Sequence, residues 1–480
     1  MVKGKYISAL DIGTSKVIAL IGEVQEDNEI HIVGLGQAPS RGLKAGMVTN
    51  IDATAQAIKQ AMNEAELMAD CKVDSVTTGI AGNHIRSLNS QGVVKIKDGE
   101  VSQADIDRAI ETAKAVNIPP DHNILHTVVQ EYIIDNQPGV KEPIGMSGVR
   151  LDTRVHIITG AITALQNIQK CVNRCGLHME QIMLQPLASG QAVLTEDEKD
   201  LGVCVIDIGG GTTDIAVYTN GAIRHTAVIP VAGDLITKDL AQALRTPHNA
   251  AEYIKIHHGV AIATMDGLDE MIEVPSVGDR QPRQISRRVL ASVIGPRVEE
   301  ILELTLNELR RSGFPEDVLT SGVVLTGGAS LLTGMVDLAE DVFNLPARIG
   351  VPQEMGGVSE RIRNPRYATA IGLLQAARGD AGHLDQQLLR VALVHRQPGE
   401  LGEVLAVAGA LQRLAQLVHG LFQAGGLHGF EQVVHGLRIE GLQGVLVVGG
   451  DEHQRGEGRF VGRPGVGQGG GGVQAALAGH

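Results

Sequence analysis

The sequence predicts an α/β protein built from two related halves that face each other across a cleft, followed by a tail of different character. Three observations carry this. Strand-like and helix-like patterns alternate from residue 1 to 378. One pattern occurs twice, as KYISALDIGTSKVIALIGEV from Lys5 and LGVCVIDIGGGTTDIAVYTNG from Leu201, with its aspartates Asp11 and Asp207 196 residues apart. Residues 379–480 contain no Ser, Thr, Asn, Lys, Met, Tyr or Cys, the first three of which satisfy ordinary turns.

The elements follow in order. Tyr6–Leu10 and Val17–Glu23 are apolar runs around a short polar turn, hence a hairpin. Asp52–Met68 carries Ala55, Ile58, Met62, Ala65 and Met68 at a helical period. Val76–Ile80 is a strand. Ser102 caps a helix over Gln103–Val116, with Asp105 at its third position. His156, Ile157 and Ile158 form a further strand. Val203–Ile206 and Ile215–Tyr218 make the second hairpin. Arg288–Arg311 is a helix that turns Val289, Val293, Ile294, Val298, Ile301 and either Leu304 or Leu306 toward a core. Ser321–Thr326 is a buried strand that ends at Gly327-Gly328 ahead of a helix, and Pro119-Pro120 and Pro346 mark breaks.

Composition narrows the function. The chain has 480 residues, 43% of them hydrophobic, and a net charge of −14. That sign opposes binding to nucleic acid or anionic membrane by overall charge. With no Trp, 5 Tyr and 5 Phe, a base-stacking reader is disfavoured as well, so no nucleic-acid partner is expected. The 4 cysteines cannot frame so long a chain, which suits a reducing compartment. Cys171 and Cys175, four apart on a helix, leave metal or redox chemistry as a minor alternative to plain packing. No secretory leader is expected at the start, and no apolar run reaches the ~18 residues a membrane span needs. The expected place is cytoplasmic or peripheral to a membrane.

Two acidic glycine turns carry the chemistry. In Asp11-Ile12-Gly13-Thr14-Ser15-Lys16, Gly13 lets backbone N–H groups approach an anion, Thr14 and Ser15 donate hydroxyls, and Lys16 supplies a point charge. An ordinary hairpin turn is the bland alternative. In Asp207-Ile208-Gly209-Gly210-Gly211-Thr212-Thr213-Asp214, three glycines weaken a strand pair, by up to ~1 kcal/mol each relative to Ala. They make sense where a phosphate chain approaches the backbone. Asp11 and Asp207 would then hold a hydrated Mg²⁺ between the hairpins, because Mg²⁺ keeps several waters and takes few carboxylates. Gly327, Gly328 and Ala329 would open a slot for a flat base, or form only a strand-to-helix turn. Glu252 and Lys255 lie three apart on one helical face, as either a site pair or a surface ion pair.

Taken together these motifs resemble the superfamily of actin, heat-shock chaperones and sugar kinases. Within it the chain is similar, over about residues 5–378, to the FtsA family of actin-like bacterial cell-division proteins. The carrying stretches are LASGQAVLTEDEKDLGVCVIDIGGGTTDIAVYTNGAIRHTAVIPVAGDLITKDLA, AEYIKIHHG, VVLTGGASLLTGM and PRYATAIGLL. The resemblance implies an actin-like fold, two ribonuclease-H-like cores around a nucleotide cleft. The first core would be 1–83 with 162–200, an inserted subdomain 84–161, the second core 201–231 with 318–378, and its lobe 232–317. It implies ATP and Mg²⁺ as cofactors. The phosphates would lie on Gly13, Thr14, Ser15, Lys16, Gly209, Gly210, Gly211, Thr212 and Thr213, the adenosine against Gly327, Gly328 and Ala329, with Glu252 and Lys255 at the ribose and base.

Asp11, Asp207 and Gln185 fall in the catalytic positions. Gln185 stands where superfamily ATPases commonly place a carboxylate; a glutamine positions a water but accepts no proton, so hydrolysis is expected to be slow at most. The family's role implies self-assembly into filaments, binding of the C-terminal tail of FtsZ, recruitment of later division proteins through the insert, and location at the division site on the cytoplasmic face of the cell membrane. Arg287 and Arg297 are candidates to pair with an acidic peptide, with a solvated helix face as the alternative. A sugar or metabolite kinase, or an actin-like scaffold of another envelope machine, are the rival readings.

The tail departs from the family pattern. An amphipathic membrane helix is expected at the end of such proteins, with lipid as partner. Here Leu411, Leu414, Ala415, Val418, Leu421 and Phe422 have helical spacing but few cations beside them. The missing residue types draw largely on codons containing A or T, which fits a reading-frame slip in GC-rich DNA and an irregular or disordered tail. A genuine low-complexity extension is the alternative.

Overall fold

A computed structural model of the chain describes residues 5–378, apart from 266, 279 and 358–361, together with 437–439 and 446–448. The first half opens with β1 (Lys5–Ile12), β2 (Lys16–Val24) and β3 (Ile30–Pro39), then α1 (Ile51–Ala69) and β4 (Ser75–Ile80). The insert consists of β5 (Arg86–Lys95), α2 (Gln103–Lys114), β6 (His122–Ile134), β7 (Gln137–Val140) and β8 (Arg150–Ala161). The chain returns through α3 (Ile162–Arg174), β9 (His178–Leu184), α4 (Gln185–Val193) and α5 (Glu196–Leu201).

The second half repeats the plan. It has β10 (Val203–Ile208), β11 (Thr213–Thr219) and β12 (Ala222–Ile229), then a lobe of α6 (Gly233–Leu244), α7 (His248–His258), β13 (Met271–Val274), β14 (Arg283–Ser286) and α8 (Arg287–Arg311). It closes with β15 (Val323–Thr326), α9 (Met335–Phe343), β16 (Ala347–Ile349), β17 (Gly356–Gly357) and α10 (Ala368–Ala377). A separate unit, His395–His480, contributes one described feature, the antiparallel pairing of Leu437–Ile439 with Leu446–Val448. The candidate helix at 411–422 lies outside the described residues.

The two sheets have matching order. The first runs β9-β4-β1-β2-β3-β17 and the second β16-β15-β10-β11-β12. In each, the hairpin is antiparallel, and two strands parallel to its first strand extend the sheet beyond it. The internal repeat therefore extends from one hairpin to five strands. Every residue of β10 is buried, as are the last six of β1, because helices cover both faces of each sheet. A continuous apolar run is the sequence form of such a strand.

The local signals behave as their physics requires. Asn50 caps α1 by accepting from Ala53 N–H at 2.9 Å, and Ser102 with Asp105 forms a reciprocal capping box on α2. Asn220 and Gly221, at φ 54° and 73°, make the two-residue turn between β11 and β12. In α8 the buried stripe is Leu290, Ile294, Val298, Ile301, Leu302, Thr305 and Leu309, joined by Leu306. Val289, expected inside, is 42% exposed, and of the alternatives Leu304 and Leu306 it is Leu306 that is buried, Leu304 being 36% exposed. A helix buries a narrow stripe, and residues one position off it face solvent. Met68 in α1 is likewise exposed.

Two further expectations are corrected. A short 3-10 turn, Gly328–Leu331, stands between β15 and α9, so no helix starts directly at the double glycine. Two elements expected in the second core pack on the first: β17 pairs with β3, and α10 packs against β1, β2, β4 and α4. Seven of its ten residues are buried, and an all-round apolar helix needs a partner on each side. At the α4–α10 crossing a Cβ on Gly372 would overlap the Ala188 carbonyl and sit 2.8 Å from the Ala188 Cα, so only glycine allows this approach.

Three histidines in and around the insert are buried and held neutral. Burial depresses His84 and His126 to about 4 and His156 to about 3. His126 Nε2 accepts from the Leu184 N–H at 3.0 Å, tying β6 to the first core. Each folded pKa lies below the unfolded value of about 6.5, so the unfolded chain binds more protons below that pH. Stability is therefore expected to fall as pH is lowered from about 6.5 toward 4. Three imidazoles should show no NMR titration between pH 8 and 5; normal titration by all three would contradict their burial.

Candidate functional site

The two glycine turns meet. Each is closed by the same bond, Gly13 N–H to Lys16 C=O and Gly209 N–H to Thr212 C=O, both at 3.0 Å. A Cβ on Gly211 would overlap Thr14, at 2.7 Å from its Cγ2, and one on Gly210 would stand 2.9 Å from the Ser15 Cβ. The glycines are what let the second turn lie against the first.

Asp11 and Asp207 face the junction from the last turns of β1 and β10, at 8% and 6% exposure. Gln185, the first residue of α4, donates from Nε2 to Asp11 Oδ1 at 2.9 Å. Thr369, near the start of α10, donates from Oγ1 to Asp207 Oδ2 at 2.9 Å. Burial, and then the Asp207 charge, push Asp11 up to about 7, against the opposing pull of Lys16 and Gln185. Burial also raises Asp207, and raises Asp214 further, with Asp207 and Asp11 adding to the effect on Asp214. Lys16 is lowered to about 8 by burial and then by Arg366; its Nζ donates to the Arg366 carbonyl at 3.2 Å and lies 5.4 Å from the Tyr367 ring centre.

Asp214 lies directly opposite Asp207 across the hairpin. Thr212 Oγ1 donates to its Oδ2 at 3.0 Å, while its buried Oδ1 has no partner. Burial favours the neutral form of these three carboxylates in the absence of a counter-charge, and one acceptor is unused. That donor set suits a hard cation with oxygen ligands. Among the described residues no cluster of three or more His, Cys, Asp or Glu has the arrangement of a direct metal cage. Two aspartates around a hydrated ion remain compatible with that.

The base-slot residues converge on the same place. Gly327, at φ 84°, passes over β10: a Cβ there would overlap an Asp207 carboxylate oxygen and lie 2.6 Å from the Ile208 carbonyl. Lys255 Nζ donates to the Gly233 carbonyl at 3.1 Å and to Thr237 Oγ1 at 2.8 Å, and pairs with Glu252 at 2.7 Å. Lys255 is 7% exposed, so the pair is not a surface ion pair. At the start of α6, Gly233 and Asp234 donate their N–H groups to the carbonyls of Gly209 and Gly210. Gly233 also sits close to Ala329, which brings the third element to the second turn.

Other predicted residues stand apart. Arg287 binds the His258 carbonyl at 3.2 Å and Glu270 at 3.3 Å, and Arg297 binds Asp239 at 2.6 Å and also Glu300. Both are engaged within the chain. Cys171 is buried, and Cys175 Sγ donates to the Ala55 carbonyl at 3.2 Å, which is packing rather than metal ligation. Sequence reasoning assigned no role to Asp214, Thr369, Arg366 or Tyr367. The signals were present, in the closing Asp of DIGGGTTD and in the stretch PRYATA. A cavity of about 930 Å³ between the insert, the first core and β12 contains none of the turn residues.

Duplicated five-stranded cores, opposed acidic glycine turns and an inserted subdomain define an actin-like protein. The PilM–PilN type IV pilus biogenesis complex shares the fold at TM-score 0.56 and 19% identity, over 78% of this chain and 98% of that one. Family profiles described as "Cell division protein FtsA" and "SHS2 domain inserted in FTSA" match residues 204–372 and 82–159. The cell division protein FtsA of Neisseria meningitidis serogroup B is 69% identical over 418 residues, 87% of this chain and 99% of that protein. That span exceeds the residues ahead of the composition break, so the match continues past it. The Escherichia coli K12 protein of the same name is 46% identical over 388 residues, 79% of this chain and 92% of its own length. The chain belongs to the FtsA family of bacterial cell-division proteins.

The two glycines of the third element should respond differently to one methyl group. Gly327→Ala meets both positive φ and the Asp207 carboxylate, and is expected to destabilise by about 2–4 kcal/mol. Gly328→Ala has nothing within 4 Å and should lie within about 0.5 kcal/mol of wild type. Urea unfolding compares them, and equal midpoints would show that Gly327 does not press on Asp207.

Proposed function

We propose that this chain binds ATP with Mg²⁺ between its two halves and assembles into filaments that link the FtsZ ring to the cytoplasmic face of the cell membrane. The observation that carries the reading is the meeting of two acidic glycine turns over buried carboxylates with an unused acceptor. Asp11 and Asp207 would hold the hydrated ion, with Asp214 behind them. Gly13, Thr14, Ser15, Lys16 and Gly209–Thr213 would cradle phosphates through backbone N–H, hydroxyl and ammonium groups. Gly327, Gly328 and Ala329 would line the base, and Glu252 and Lys255 the ribose side. The ion would supply positive charge to offset that of the phosphates.

The chain's own residues argue for slow turnover. Gln185 is held by Asp11 and orients rather than deprotonates a water. ATP then serves chiefly as an assembly ligand. Recruitment of later division proteins falls to the insert. Membrane attachment is carried over from the family resemblance, with residues 411–422 offering few cations for it; none of the described helices is long and apolar enough to cross a membrane.

Calorimetry with Mg-ATP tests the site. Asp207→Asn is expected to weaken binding at least about tenfold, whereas Gln185→Ala should stay within about threefold and lose residual hydrolysis. Unchanged affinity in Asp207→Asn would remove the aspartate from the ion. For the partner, acidic groups of the FtsZ C-terminal peptide would displace Glu270 and Asp239 from Arg287 and Arg297, so anisotropy of a labelled peptide should show about tenfold weaker binding to the double variant Arg287→Ala, Arg297→Ala. An unaltered affinity would place the peptide elsewhere.

A further inference from the structure

The insert belongs covalently to the first half but is hydrogen-bonded to the second. Its partner is β12, the edge strand of the second sheet. An edge strand presents unpaired carbonyls, and buried carbonyls need donors. At β12 the register steps from Val217↔His225 to Tyr218↔Ile223, so Arg224 is an extra, bulged residue. Side chains of the insert supply the missing donors. Gln130 Nε2 donates to the Ile223 carbonyl at 2.8 Å, Asn89 Nδ2 to the Arg224 carbonyl at 3.1 Å, and Ser87 Oγ to the Thr226 carbonyl at 2.8 Å.

His156 sits at the centre, 1% exposed and paired in register with Asn89. Because Asn89 spends its amide nitrogen on Arg224, its Oδ1 is the atom that faces His156 Nδ1, at 2.7 Å. Nδ1 therefore donates, and Nε2 accepts from the Thr226 hydroxyl at 3.0 Å. Gln130 also donates to Asn89 Oδ1, at 3.0 Å. The arrangement admits one tautomer and one amide orientation, so it defines a single seating of the insert on β12.

We propose that this contact is a latch that couples the insert, already packed on the first half, to the second half as well, so that the state of the cleft is expressed in the position of the insert. The coupling rests on the proposal that nucleotide binds between the halves. Rotation of one half against the other carries β12 relative to the first core. The insert, joined to that core at Ile80–Arg86 and at Ala161–Ile162, then either travels with β12 or gives up these hydrogen bonds, of which the His156–Thr226 pair is buried.

Amide hydrogen exchange on the full chain tests this, with Asn89→Ala as the latch variant and Gln130→Ala as a milder one at the rim. Without nucleotide, both are expected to raise exchange at 222–229 by about fivefold and leave 203–208 at wild-type protection. Unchanged exchange at 222–229 in both variants overturns the latch. With Mg-ATP bound, as checked by calorimetry, protection at 86–95 and 222–229 should change together in the wild type, and less than half as much at 86–95 in the variants. An undiminished response at 86–95 in both overturns the coupling. If the wild type does not bind Mg-ATP, the coupling falls with the nucleotide reading, and the ligand-free comparison alone decides the latch.

Discussion

The close crossing of α4 and α10 sets the geometry on which the site depends. Gly372 lets the two backbones approach to a distance that a single methyl group would forbid. Both helices begin at the cleft, and each delivers a donor there in its first residues: Gln185 to Asp11, and Thr369 to Asp207. This crossing within the first half thus also orients the two carboxylates, one from each half. Once these are fixed, Thr14 rests on Gly211 and Ser15 on Gly210. The raised carboxylates and lowered lysine follow from their burial beneath the turns, because charge is disfavoured where solvation is lost.

What could be read in the sequence is what is local or repeated. The hairpins, the capping box at Ser102 and the glycine turns each lie within a few residues, so pattern and spacing suffice. The repeat then fixed which two aspartates belong together. What escaped depends on distance along the chain. Thr369 and Asp207 are 162 residues apart and Lys16 and Arg366 are 350 apart, and no local pattern marks such pairs. Arg287 and Arg297 illustrate the converse: they read as free cations on a helix, but Glu270 and Asp239 from other elements occupy them. In α8 the periodicity was right and its phase partly wrong, since neighbouring apolar residues differ by about 100° around the helix and only packing decides which is inside.

Sharing across the cleft runs in both directions. In the first sheet the edge strand β3 receives β17, two residues contributed by chain that follows the second sheet. In the second sheet the equivalent edge, β12, is covered by the insert, which is contributed by the first half. The same exposed-edge problem arises twice because the fold is duplicated, and each half solves it with material from the other. The boundary drawn from sequence, with 318–378 wholly in the second core, misses this exchange because a boundary is a cut in the chain and the exchange is a contact in space.

That reciprocity explains the composition of the insert's inner face. Ser87, Asn89, Gln130 and His156 would read as a solvated strand face by polarity alone. They are polar because the surface they cover is a row of backbone carbonyls, and an apolar face there would leave those carbonyls buried without donors. A purely apolar contact would also slide, whereas this one has a register set by a bulge, an amide and an imidazole with one allowed proton position. The halves are therefore joined at β12 by a directional polar contact, which a rotation of one half against the other must either carry along or break.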